Sequence, residues 1–342
     1  MINVNARNLS VHTTGVQRYT KKILECWRSD EYRLIIPNQP MHGIKGHLWE
    51  QLVLPSRVHG NILWSPSNTG PLALSNQVVT IHDVVPFDHP EWLNPRFVAW
   101  YNFLQPKLAN KIAHVITISE FSKQRIMDVL KIPESKISVI YNGVDSVNMT
   151  EVSPVSSLDI PFKRYVLAVG SIEPRKNMPR LIAAWKLIKN RIPEDTGLII
   201  VGAKGLSRVF SAEKDGGNSI GGTENDRVHF TGHVSDPVLA SLYSNAESFC
   251  YPSLYEGFGL PPLEAMAYNI PVITSNNTAM AELCQGSATL ISPVNIEEIA
   301  FAIEESLKKK NVAVMKNARK LVSELSWEKC ANASLEVIKG FC

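Results

Sequence analysis

Short apolar runs bounded by polar, Gly- and Pro-containing stretches recur along the whole chain. In the first half they read as strands at Arg33–Ile36, Ile62–Ser65, Val78–His82, His114–Ile118 and Ile137–Tyr141. In the second half they fall at Arg164–Val169, Gly197–Val201, Arg227–Thr231, Ser248–Tyr251, Pro271–Thr274 and Ala288–Ile291. Several are nearly unbroken apolar segments, the pattern of strands buried on both faces. Helical patterns lie between them. Asn94-Pro95 opens one that runs to about Ala113, and Ser119 stands as N-cap to Glu120–Leu130. Strands alternating with helices in both halves predict an α/β chain with parallel sheets built from βαβ units. No repeat at solenoid spacing is present.

At 342 residues the chain exceeds one ordinary core, so two domains are expected. A hydrophobic content of 44% with 20% charged residues describes a globular protein. The net charge of +3 is too small to argue for a nucleic-acid partner. It is also uneven: residues 1–150 carry 15 Lys and Arg against 11 Asp and Glu, and the remainder 20 against 21. A mildly basic first half suits an anionic membrane surface or acceptor, and equally suits ordinary scatter of surface charge. The five cysteines are widely spaced with no CxxC pair, which points to reduced thiols and a cytoplasmic setting. No signal-peptide pattern opens the chain, and no apolar run approaches the roughly 18–20 residues of a membrane span. Any membrane contact is expected to be peripheral. The segment from Trp92 to Ala113 carries Phe97, Trp100, Tyr101, Leu104, Leu108 and Ile112 at helical spacing with Arg96, Lys107 and Lys111 nearby. Such a stripe reads either as core packing or as a helix resting on a bilayer.

Two loops carry the candidate chemistry. Glu256-Gly257-Phe258-Gly259-Leu260-Pro261-Pro262-Leu263-Glu264 follows the strand-like Ser248–Pro252 and leads into an apolar, helix-like run. A strand, Gly loop and helix in succession present backbone N–H groups and a positive helix end to an anion. Its two carboxylates, eight positions apart, are spaced to address different parts of one elongated ligand, through charge-assisted hydrogen bonds to hydroxyls. Gly170-Ser171-Ile172-Glu173-Pro174-Arg175-Lys176-Asn177 directly follows another strand. Adjacent cations at a strand end can neutralise a phosphate pair and a departing diphosphate. Taken singly, the first loop also reads as a turn with two solvated glutamates, and the second as a solvated basic surface.

Together, in this order, the two loops resemble the donor site of the retaining glycosyltransferases of family 4. The resemblance extends along most of the chain. It takes in Thr14-Gly15-Val16-Gln17-Arg18-Tyr19, Trp64–Asn68, Val79–Asp83, Thr117–Ser122, Asn142-Gly143-Val144-Asp145 and Ser326-Trp327-Glu328. It implies the GT-B fold, two Rossmann-like domains facing a central cleft. The implied division is a first domain over 1–145, a linker over 146–162, a nucleotide-sugar domain over 163–325 and a helix over 326–342 that returns to the first domain. It further implies that Arg175 and Lys176 reach the donor diphosphate. Glu264 holds the ribose, and Glu256 with the Gly257-Phe258-Gly259-Leu260 amides holds the sugar. Gly170 and Gly15 border the donor. The early loop has one glycine where many members have a pair, which leaves a phosphate contact from Gly15 open. There is no Asp-x-Asp triplet, so no metal and no other cofactor is expected.

His82, at the predicted end of a strand, is the histidine the resemblance places near the donor sugar and the acceptor hydroxyl. A capping histidine satisfied by local backbone is the alternative there, and Asp83 either orients it or starts a turn. His229 and His233 read as structural. The implied reaction is transfer of a hexose from a nucleotide-diphosphate sugar with retention of configuration, by same-face attack assisted by the leaving phosphate. The segments TIHDVVPF and WSPSNTGPL are similar to those of O-antigen and capsule enzymes. They imply a glycan acceptor on a polyprenyl diphosphate at the inner face of the cytoplasmic membrane. GDP-mannose is the first donor choice, with UDP-glucose, UDP-N-acetylglucosamine and dTDP-rhamnose open. A nucleotide-sugar epimerase and a catalytically silent sugar-nucleotide-binding subunit remain as alternatives. An NAD-dependent dehydrogenase is disfavoured by the lack of an early GxGxxG.

Overall fold

The computed structural model describes residues 1–10, 15–41, 43–145, 160–202 and 226–342. Thr14 of the early Gly loop, all but the last three residues of the expected linker, and the Gly-rich Asp215–Gly222 lie outside the described residues. The chain divides into two compact units. Unit 1 takes Met1–Pro90, Pro95–Gly143 and Leu325–Cys342; unit 2 takes Glu91–Asn94 and Val144–Glu324.

Unit 1 is built on six parallel strands: β1 (Ile2–Asn5), β2 (Tyr32–Ile35), β3 (Leu63–Ser65), β4 (Gln77–Thr80), β5 (His114–Thr117) and β6 (Ile137–Val139). Their order is β2-β1-β3-β4-β5-β6, so the direction of winding reverses between β1 and β3. β1 escaped the sequence reading because Ile2-Asn3-Val4-Asn5 alternates apolar and polar residues over only four positions. All four are nonetheless buried, because the strand lies inside the sheet and the Asn5 carboxamide donates to Glu50 Oε1 at 2.7 Å. Val79, Ile81 and Val115 pack in one apolar cluster with Leu108 and Ile112 at the end of the long helix, and with Ile126 and Leu130 of the next.

The helix expected from Asn94-Pro95 spans Pro95–Lys111, and the one capped by Ser119 spans Glu120–Leu130. Ser119 accepts from the Ser122 N–H at 3.0 Å, which satisfies one orphan donor of that helix. Along Pro95–Lys111, Tyr101, Leu104 and Leu108 are buried whereas Phe103 is 49% exposed, so most of the aromatic stripe is core. The helix Trp327–Lys339 packs on Gly15–Cys26, and the Trp27 indole donates to Ala331 O at 2.9 Å. At the crossing, a Cβ on Gly143 would overlap the backbone of Ser326 and Trp327, so only glycine permits this approach.

Unit 2 has strands β7 (Arg164–Val169), β8 (Thr196–Val201), β9 (Val228–Gly232), β10 (Ser248–Tyr251), β11 (Val272–Ser275) and β12 (Thr289–Ile291). All are parallel, in the order β12-β11-β10-β7-β8-β9. Counted from β7, this is the doubly wound dinucleotide-fold order, and its reversal lies between β7 and β10. Val166, Ala168, Leu198 and Ile200 share a core with Leu181, Trp185 and Ile188 of the helix Met178–Ile188 and Ile299 and Ile303 of Ile296–Lys308. Two six-stranded parallel sheets with helices packed on them are the GT-B architecture expected from the sequence. Among the described residues no helix is long and apolar enough to cross a membrane.

Candidate active site

Ligands of doubly wound sheets bind beyond the carboxyl ends of the strands, where the winding reverses. In unit 2 the two segments leaving that point are the loops after β7 and β10, the two singled out in the sequence. Backbone joins them: Leu254 N donates to Arg175 O at 2.8 Å. Ser253 Oγ lies 2.9 Å from the same carbonyl. Asn177 adds a second clamp. It is buried with φ +59°, and its Nδ2 donates to Pro252 O at 2.9 Å and Pro293 O at 2.6 Å. Asn177 therefore ties the basic loop to the segments that follow β10 and β12.

Four charged side chains meet there. Lys176 Nζ lies 2.7 Å from Glu256 Oε1 and donates to Tyr251 OH at 2.5 Å. Tyr251 OH and Ser253 Oγ donate in turn to Glu256 Oε1, at 2.9 and 2.7 Å. Glu256 Oε1 thus collects three donors, while Oε2 faces Arg175 Nη1 at 3.8 Å, beyond hydrogen bonding. Arg175 pairs with Glu173 Oε1 at 3.1 Å. The side chains of Lys176 and Glu256 are only 11% and 8% exposed. Burial alone would raise the Glu256 pKa, but the charges of Lys176 and Arg175 and the donors on Oε1 outweigh it and bring it down to about 2. Burial and the neighbouring guanidinium push Lys176 below the usual lysine range, against the pull of Glu256 and Glu173. Burial and the Glu256 charge push Tyr251 well up, so its phenol stays a donor.

Glu256 and Glu264, eight positions apart, do not share a helix. The helix begins only at Leu260 and runs to Ala267, so Glu256 stands on the loop and Glu264 on the first turns. Pro261 and Pro262 follow Leu260 and bring no N–H, which confines the amides this end can offer to Gly257–Leu260 and Leu263. Gly259 caps the helix at φ +91°, and a Cβ there would overlap Met280 Cε. The Glu256 peptide is held from the other side: its N–H donates to Thr278 Oγ1 at 3.3 Å, and its carbonyl accepts from Ala279 N at 3.4 Å. Thr278 adopts φ +54°, a backbone that β-branched residues avoid. Glu264 Oε2 accepts from Tyr243 OH at 3.2 Å, and the Tyr243 ring stacks on Tyr268 at 5.2 Å. Gly170 borders the Lys176 stem, for a Cβ there would lie 3.3 Å from Lys176 Cγ.

The structure therefore brings Gly170, Arg175, Lys176, Glu256 and Gly257–Leu260 together at one strand-end crevice, with Glu264 on the helix that follows. Glu173, Asn177, Tyr251, Ser253 and Thr278 belong to the same assembly and were not singled out from the sequence. Glu173 and Asn177 lie inside the basic motif itself, while Tyr251 reads simply as a strand residue.

His82 and Gly15 belong to unit 1. β4 ends at Thr80, so His82 lies two residues past the strand that was expected to contain it. Its Nε2 is 2.8 Å from Pro66 O, which makes Nε2 the protonated nitrogen of the neutral ring. The Tyr19 ring meets it edge-on at 4.8 Å. Burial lowers the His82 pKa, against smaller raising contributions from the Pro66 hydrogen bond and Asp83. Gly15 opens the helix Gly15–Cys26 with open space around the position a Cβ would take.

Comparison with known proteins places this geometry. Residues 157–321 match the family of glycosyl transferases group 1, and residues 44–147 match Glycosyltransferase Family 4. The O-antigen chain mannosyltransferase B of Escherichia coli is 29% identical over 280 residues, covering 79% of this chain and 71% of the relative. The O-antigen chain mannosyltransferase RfbU of Salmonella typhimurium is 32% identical over 241 residues, covering 67% of this chain and 63% of the relative. The solved sucrose-phosphate synthase from Thermosynechococcus elongatus superposes with a TM-score of 0.73 at 18% identity, covering 99% of this chain and 98% of its own. The two matched spans between them hold both loops of the unit 2 crevice and the His82 segment of unit 1, and the chain belongs to the family 4 glycosyltransferases.

Proposed function

We propose that the protein is a retaining mannosyltransferase that extends a lipid-linked glycan of a bacterial surface polysaccharide. The observation that carries the donor site is the Arg175-Lys176 pair, held against Glu256 where the winding of unit 2 reverses. Lys176 spends two of its three N–H donors on Glu256 and Tyr251. An arriving diphosphate takes the remaining donor and competes with the carboxylates for both cations. Glu256 then turns Oε2 to the hydroxyls of the transferred sugar, with the Phe258–Gly259 amides beside it, and Glu264 takes the ribose diol. As the anomeric bond to phosphate breaks, Arg175 and Lys176 hold the departing charge, and transition-state stabilisation of that kind is the larger part of such catalysis. The acceptor hydroxyl approaches on the leaving-group face and passes its proton to the leaving phosphate. His82, neutral and with Nε2 tied to Pro66, acts by hydrogen bonding and positioning. No metal is required in this scheme, and activity is expected to survive EDTA. Mannose as the transferred sugar is supported by the names of the two O-antigen relatives, and GDP-mannose is the donor proposed to carry it. The O-antigen names of the same relatives support a glycan acceptor; its carrier in this proposal is a polyprenyl diphosphate, met at the inner face of the membrane through peripheral contact, in the cytoplasm.

Thermal-shift measurement with GDP-, UDP-, dTDP- and ADP-sugars, without metal, tests the donor site on wild type, Glu264→Ala and Arg175→Ala. One nucleotide class should stabilise the wild type and lose its effect in both variants. Shifts indifferent to both substitutions would remove the donor site. Ligand-induced stabilisation without sugar transfer to a mannose-terminated lipid acceptor would identify a silent binding subunit instead.

A further inference from the structure

Tyr251 closes β10, and its side chain is buried between the charged groups of the unit 2 crevice. An apolar ring alone would satisfy that position. The ring already packs against Phe249, two residues earlier on the same strand face, with centroids 6.0 Å apart. The Tyr251 carbonyl accepts from Thr274 Oγ1 at 3.1 Å, so the backbone is held as well. The hydroxyl adds nothing to this packing, yet both ions of the site converge on it.

Tyr251 OH accepts from Lys176 Nζ at 2.5 Å and donates to Glu256 Oε1 at 2.9 Å. Lys176 Nζ closes the triangle on the same carboxylate oxygen at 2.7 Å. The single phenolic proton is thereby committed to Glu256, and one lone pair to Lys176. Burial and the Glu256 charge hold the phenol protonated well above the ordinary tyrosine range, so it stays a fixed bridge.

A sugar-bearing donor and the nucleoside diphosphate left after transfer ask different things of this triangle. The bare diphosphate has one more ionisable oxygen, which the sugar-bearing form carries as an ester. It draws on Lys176 more strongly and offers Glu256 no hydroxyl. Tyr251 opposes it, because the phenol oxygen holds Lys176 back beside Glu256. With a sugar-bearing ligand the same hydroxyl works in favour. When Lys176 turns to the diphosphate, Tyr251 and Ser253 keep Glu256 Oε1 filled, from 2.9 and 2.7 Å. Oε2 then stays presented to the sugar hydroxyls. Hydrogen bonds to ionised groups are the strong ones, so both effects are large enough to read separately.

We propose that Tyr251 is a positioning residue that shifts the donor site toward a sugar-bearing nucleoside diphosphate and away from the bare diphosphate left after transfer. This rests on the reading of Arg175, Lys176 and Glu256 as the donor site.

The test is calorimetric titration of the full chain, without metal, with GDP and GDP-mannose and in parallel with UDP and UDP-glucose. The pair that binds wild type is then used on the variants. Tyr251→Phe keeps the ring and removes the hydroxyl. It should weaken the sugar-bearing ligand about tenfold, the equivalent of one hydrogen bond to a charged group. Affinity for the bare diphosphate should hold or rise, a divergence that damaged packing does not produce. Phe249→Leu disturbs packing on the same strand face and removes no hydroxyl, so its ratio of the two affinities should match wild type. Equal weakening of both ligands by Tyr251→Phe, no change in either, or the same change of ratio in Phe249→Leu would overturn the role of Tyr251. Glu256→Gln separates this inference from the donor reading. If Glu256→Gln weakens the sugar-bearing ligand and Tyr251→Phe does not, Glu256 stands as the sugar contact and only the role of Tyr251 falls. If neither pair binds wild type, the donor reading falls and takes this inference with it.

Discussion

Glu256 and Lys176 are each other's counter-charge in a place where neither is well hydrated, and this makes their titration informative. Removing one partner of a buried pair leaves the other uncompensated, at a cost of about 3–5 kcal/mol. Glu256→Gln keeps the shape and removes the charge, so it should lower the unfolding free energy of unit 2 by about that amount, as measured by urea denaturation. The acid limb follows from the same pair. The Glu256 pKa falls from 4.5 to about 2 on folding, so its stabilising contribution is complete above pH 4.5 and is lost between there and pH 2. Glu256→Gln should therefore flatten the fall of stability over that window. On the alkaline side, folding lowers the Lys176 pKa below 10.5. The free protein then loses this cation before ordinary lysines lose theirs. Affinity for a nucleoside diphosphate should begin to fall below the usual lysine range, and Lys176→Arg, which stays charged, should move the fall upward. Calorimetric titration across pH settles the point, and superposable curves for the two proteins would remove Lys176 from the diphosphate site.

Gly259 shows how tightly one element fits its neighbours. It holds a left-handed backbone and abuts Met280, so Gly259→Ala combines backbone strain of about 1 kcal/mol with an overlap. The variant should lose thermal stability and donor affinity together. Met280→Ala added to it should return part of both, because the overlap is with a flexible side chain while the strain is not; simple additivity in the double variant would count against the contact. Strands and helices of this kind were largely legible in the sequence. Arg164–Val169 and Ser248–Tyr251 end where the apolar runs end, because buried strands of parallel sheets must be apolar throughout. β1 was not legible, since half its residues are asparagines, and Asn5 is satisfied by a glutamate 45 positions away. The ionic loops were legible as motifs, but their meeting was not. It depends on β10 lying beside β7, a pairing between residues about 80 positions apart that no local pattern encodes. Asn177 and Thr278 were missed for the same reason: their partners are backbone groups of loops 22 to 116 positions away.

Nothing in the local patterning of either half required that residues 325–342 belong with unit 1, yet the Trp327–Lys339 helix supplies part of that unit's core. Trp327 and Ala331 are buried against elements that include Tyr19 and Trp27. A chain cut after Glu324 should therefore expose this aromatic group, bind a hydrophobic dye and aggregate. The isolated 144–324 segment should give a cooperative melt that nucleotide-sugar still raises; a shift lost in that segment would place part of the donor site elsewhere. The segmented make-up of unit 1 also sets an order on biosynthesis. A ribosome delivers residues 1–143 first, then all of 144–324, and only afterwards the segment that completes unit 1. At roughly 5–20 residues per second, the first-made sheet waits on the order of ten seconds or more for its last helix. Over that interval Tyr19 and Trp27 lack their cover, and the half of the protein that is made first is the half that finishes last. Chaperone demand during synthesis should thus fall on unit 1, and crosslinking of stalled nascent chains at lengths between 143 and 342 residues would map when it is released.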